Sequence, residues 1–152
     1  ETIKDGCVAL YHCDDDVIRV LPPDLMQRRR DADAAFAHLG IEAYFKSVIV
    51  HEVAHAANAG TPCPYESCVV ADQYVAYATQ IMSLKPEDQT AFVERSNLDG
   101  PVLAEELSAV ILFMAPDLFA QNVWAHLQQQ DAPCDYIGAL TRGRLTLDQG
   151  RL

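Results

Sequence analysis

The chain has 152 residues, half of them apolar, enough for one domain that builds its own core without a metal or disulfide staple. Acidic residues outnumber basic ones 22 to 11, giving a net charge of −11, which argues against nucleic acid and anionic lipid as partners. Membrane insertion is not expected, because the longest apolar candidate, Val102 to Ala115, is interrupted by Glu105 and Glu106.

In chain order, Cys7 to His12 and Val17 to Leu21 are apolar, β-rich runs. Asp14, Asp15 and Asp16 separate them and Pro22-Pro23 closes the second, which predicts a β-hairpin with an acidic turn. Asp24 to His38 reads as a helix, with prolines before it and Gly40 after it, and Arg28, Arg29 and Arg30 on its solvated face. Glu42 to Asn58 predicts the next helix. Its apolar positions nearly surround the axis and Gly60 stops it, so a buried central helix is expected. Thr61 to Ser67 is a turn and Cys68 to Leu84 a third helix. Lys85-Pro86 opens a shorter helix to about Arg95, and Asn97 to Pro101 is a loop. Val102 to Gln130 reads as helical with a kink or break at Pro116. The tail from Asp131, with Gly138, Gly143 and Gly150, declares no element. The sum is a helix-rich α+β fold, a single domain over 1–152 with a small N-terminal hairpin.

Five cysteines are many for a reducing compartment and point to a periplasmic or secreted location. Cys63 and Cys68 flank a proline-rich turn and are placed to bridge. Cys7 and Cys13 end an extended run of roughly 20 Å, too long for a disulfide, so one of them is left to pair with Cys134, and the alternative is five reduced, buried thiols. No CxxC pair suggests a cysteine zinc site.

The chemistry is concentrated at residues 48–57, VIVHEVAHAA. His51 and His55 lie four apart, so one helical face presents both imidazoles to one point, an arrangement suited to zinc. Glu52 is rotated by about 100° from His51, where it reaches a water on the metal and acts as general base. A chance HExxH in a chain with five histidines among 152 residues is roughly a one-in-a-hundred event.

These residues match the motif of the zincin metallopeptidases, and the stretch resembles their active-site helix. The resemblance covers roughly residues 5–84 and extends to small uncharacterised bacterial HExxH proteins. It implies that His51 and His55 hold zinc, that Glu52 is the catalytic base, and that the hairpin edge receives an extended peptide. The metzincin pattern is excluded, because Asn58 and Thr61 stand where it needs glycine and histidine. The nearer likeness is to a gluzincin, whose third ligand is a glutamate on the following helix. In Ala71 to Gln80, ADQYVAYATQ, Gln73 occupies that position, with Ala76 and Tyr77 following. An amide there binds through its carbonyl oxygen, without charge. Asp72 is the alternative, either as ligand or as a carboxylate orienting a histidine, and Glu66 is a further candidate near the helix start.

Tyr74, Tyr77 and His126 are candidate donors to an oxyanion, each weighed against an ordinary place in the core. Glu105 and Glu106 read as a solvated pair, and His12 and His38 have no partner at useful spacing. Phosphate-binding glycine loops and nucleophile elbows are absent. The expectation is a zinc peptidase acting on a peptide or protein substrate. The alternative is a zincin-like protein that binds metal or peptide without cleaving it. Oligomeric state is left open.

Overall fold

The structure is a computed structural model that describes residues 7–148. Gly150 lies outside the described residues. Within them the fold is α+β, as expected: a two-stranded antiparallel hairpin followed by a packed set of helices.

Strands β1 (Ala9–His12) and β2 (Val17–Val20) pair in the register Ala9 with Val20 and Tyr11 with Ile18. The acidic turn between them places Asp16 at φ 52°, a conformation that aspartate tolerates better than most residues. Helix α1 (Pro23–Arg29) is shorter than the sequence implies. The expected continuation to His38 is replaced by tight turns, because the chain turns extended at Arg30 and the Arg30 guanidinium takes up the carbonyls of Phe36 and Leu39. Arg30 also stacks on the Tyr44 ring, 4.6 Å from its centroid. This arginine therefore cements the core edge, whereas the sequence places it on a solvated face.

Helices α2 (Ile41–Asn58) and α3 (Val69–Met82) are the central pair. It is α3, and not α2, that is most deeply buried. Tyr74, Ala76, Ala78 and Ile81 are fully enclosed, whereas Val53 on the outer side of α2 is about half exposed. Small residues on α3 let its neighbours approach, and the core is built on it. Phe119, Ala120, Val123 and Leu127 of α6 (Pro116–Gln128) pack there with Phe92 of α4 (Pro86–Arg95) and Phe36. A smaller cluster of Ala9, Met26 and Val48 seats the hairpin and α1 on α2.

The expected long helix from Val102 is divided. A single 3₁₀ turn at Ala104–Glu106 precedes α5 (Ala109–Met114), and Ala115 breaks the chain just before Pro116. Ser108 caps α5, accepting from Ile111 N–H, so its helix starts there and not at Val102. The tail forms α7 (Pro133–Thr141).

Two tethers fix the start of α3. Cys63 and Cys68 form the disulfide that the turn suggests, while Cys7, Cys13 and Cys134 are free thiols. The other tether comes from the tail. Asp148 accepts from the N–H groups of Val70 and Ala71, both at 2.9 Å, capping α3 from 77 and more residues away. Gly143 makes that return possible, since it sits at φ +65° and a Cβ there would lie 2.6 Å from the Pro62 carbonyl.

Candidate metal centre

Little more than one turn of α2 carries His51 and His55 toward α3. The Nε2 atoms of His51 and His55 face each other at 3.1 Å. Each ring turns its other nitrogen to an oxygen on α3. His55 Nδ1–H donates to Asp72 Oδ2 at 2.7 Å, and His51 Nδ1 meets Gln80 Oε1 at 3.0 Å. A carboxylate and an amide oxygen can only accept, so both protons reside on Nδ1. The two Nε2 lone pairs are then aimed at one point with no donor between them.

That arrangement fits a divalent ion. Two nitrogens on one tetrahedral zinc, with bonds of about 2.0–2.1 Å, stand about 3.3 Å apart, close to the 3.1 Å found here. Gln73 lies close enough to His51 to influence its ring. Gln73 stays the candidate for a third ligand, through its carbonyl oxygen. Among the described residues, no three His, Cys, Asp or Glu side chains are grouped to hold a metal. A candidate set of two imidazoles and an amide oxygen would hold zinc with less charge compensation than a carboxylate provides.

Of the two roles open to Asp72, the geometry supports the orienting one, because its oxygen is on the far nitrogen of His55. Asp72 also lines a cavity of about 340 Å³ between the disulfide loop, the end of α2 and α7. Glu66 is exposed in the loop before α3, away from the first turn where the sequence places it; Asp148 does the capping instead. We expect Asp72→Asn to weaken zinc binding roughly 10- to 100-fold, the usual cost of losing a charged partner behind a ligand. Competition with a chromophoric chelator measures this, and an unchanged affinity would remove Asp72 from the centre.

Glu52 is buried, and its Oε2 accepts from the backbone N–H of Tyr11 at 2.8 Å. The β1 edge that faces α2 is thus engaged by the carboxylate at Tyr11. Burial raises the pKa of Glu52, opposed by the neighbouring His55 and by the Tyr11 N–H. Tyr77 stands edge-on to His51, ring centroids 4.6 Å apart, and burial raises its hydroxyl pKa, keeping it a donor at neutral pH. Tyr74 and His126 are elsewhere, sharing a buried 2.9 Å hydrogen bond in the core. Glu106 caps the 3₁₀ turn through Leu103 N–H. His12 meets Arg19 and His38 meets the Asp88 carbonyl, both partners that spacing alone does not reveal.

A family model described as a family of unknown function, DUF6639, matches residues 1–150. The chain belongs to this family. No curated protein and no solved structure matches it.

Burial has a further consequence. It pushes His51 down to about 3, with the nearby His55 adding to the shift, and it lowers His126 as well. The unfolded chain protonates both near pH 6.5, while the fold resists. Their contribution is therefore complete above pH 6.5 and is lost as pH falls toward the folded values. Glu52, with a raised pKa, works in the opposite sense and offsets part of the loss. We expect the chelator-treated protein to lose about 1 kcal/mol of unfolding free energy between pH 6.5 and 5.5. Urea unfolding at the two pH values checks it, and equal stability would contradict the buried, neutral histidines.

Proposed function

We propose that the chain is a zinc-dependent metallopeptidase of zincin type, with His51, His55 and Gln73 as ligands and Glu52 as general base. The observation that carries this is the pair of Nε2 atoms at 3.1 Å, each made an acceptor by the oxygen behind its ring. Zinc bound there supplies a Lewis acid for a carbonyl oxygen and lowers the pKa of a coordinated water. The chain's own residues do the rest. Tyr11 N–H pins Glu52 Oε2, so Oε1 is the oxygen that takes a proton from the attacking water and returns it to the leaving amine. Tyr77 closes one side of His51 and keeps bulk water from its ring. The substrate is a peptide or protein laid along the hairpin side of α2. The Cys63–Cys68 disulfide supports a periplasmic or secreted setting.

A second reading, metal binding without hydrolysis, is favoured by one feature of the sequence: Gln73, a neutral amide, stands where a glutamate would add charge. The deciding experiment is incubation of the zinc-loaded chain with a peptide library, read by mass spectrometry for new termini. Cleavage that a chelator abolishes and added zinc restores supports the peptidase. Bound zinc without cleavage supports the second reading.

A further inference from the structure

We propose that Gln80 is a positioning residue of the metal centre, selecting the tautomer of His51, with Ser47 fixing which way the Gln80 amide faces. The proposal rests on the reading of His51 and His55 as a metal-holding pair.

The chain of donors starts on α2. Ser47 Oγ has one proton, and it goes to the Tyr44 carbonyl at 2.8 Å. Toward Gln80 the hydroxyl is therefore an acceptor, and Gln80 Nε2 donates to it at 3.1 Å. The other end of the amide, Oε1, must then face His51 Nδ1 at 3.0 Å. An amide oxygen has no proton to give, so Nδ1 carries the hydrogen and Nε2 is bare. Ser47 is 1% exposed and Gln80 3%, so water does not compete for either group or turn the amide over. A free imidazole prefers its proton on Nε2, the nitrogen that a metal needs, and the relay works against that preference. Asp72 does the same for His55 with a charge, where Gln80 uses orientation alone.

The test uses ¹⁵N NMR of the histidine rings in the chelator-treated full chain at neutral pH, with zinc affinity measured beside it. In the wild type and in Gln80→Glu, whose carboxylate still accepts from His51, the ring is expected as the Nδ1–H form. In Gln80→Leu, His51 should move toward Nε2–H, and zinc should bind roughly 10- to 100-fold more weakly, while Gln80→Glu stays within about tenfold of the wild type. Ser47→Ala frees the amide to turn and should shift the tautomer in the same direction, which covers the case of an unfolded Gln80→Leu. An Nε2–H form of His51 in the wild type, or an unchanged tautomer in the folded variants, overturns the proposal. Failure of the wild type to bind zinc overturns the metal reading separately, since the tautomer is read without metal.

Discussion

Purified without chelator, the protein should carry close to one zinc ion per chain, and His51→Ala or His55→Ala should lower its affinity at least about a hundredfold. The magnitude follows from dividing a binding free energy of about 10 kcal/mol, the low end for protein zinc sites, among three protein ligands. Each then contributes about 3 kcal/mol, a factor above one hundred. Removing either ring also leaves its oxygen partner behind. In His55→Ala the Asp72 carboxylate loses a 2.7 Å donor, and in His51→Ala the buried Gln80 oxygen loses its own. Elemental analysis and competition titration measure the result. Full zinc content in both alanine variants would place the metal elsewhere, and a wild type that takes up no added zinc would leave the facing nitrogens without an ion.

The difference between legible and hidden parts follows from the range of the interactions. His51, Glu52 and His55 are set by spacing on one helix, so the sequence places them together, and all three lie on α2. The hairpin and the Cys63–Cys68 bridge are equally local. The Asp24–His38 helix failed because Arg30 finds the carbonyls of Phe36 and Leu39, contacts that helix propensity does not weigh. The capping of α3 by Asp148 joins positions 77 and more apart, and no local pattern announces it. Gln80 and Ser47 were missed, although a signal existed. Gln80 is seven residues beyond Gln73, two turns along the same face of α3, and Ser47 is one turn before His51 on α2. Polar residues in such apolar surroundings need partners, and each supplies the other's.

Glu52→Gln should reduce peptide hydrolysis by roughly 10²- to 10⁴-fold, the range for losing a general base, with zinc content unchanged. The substitution is informative because Glu52 also has a structural partner to satisfy. Its Oε2 holds the Tyr11 N–H at 2.8 Å, and that bond docks β1 onto α2. A glutamine carbonyl can accept the same bond, so the hairpin stays in place, while the amide nitrogen cannot take a proton. Glu52→Ala would be harder to read, since the uncovered Tyr11 N–H alone costs about 1–3 kcal/mol when buried. The raised pKa of Glu52 sharpens the expectation, because a carboxylate made more basic by burial is a better proton acceptor at neutral pH. Side-by-side turnover, zinc content and melting temperature of wild type and Glu52→Gln separate the roles. Lost turnover with retained zinc and stability assigns Glu52 to proton transfer. Retained turnover would mean that the carboxylate serves only to seat the hairpin, and the general base must then be sought on another residue facing the histidine pair.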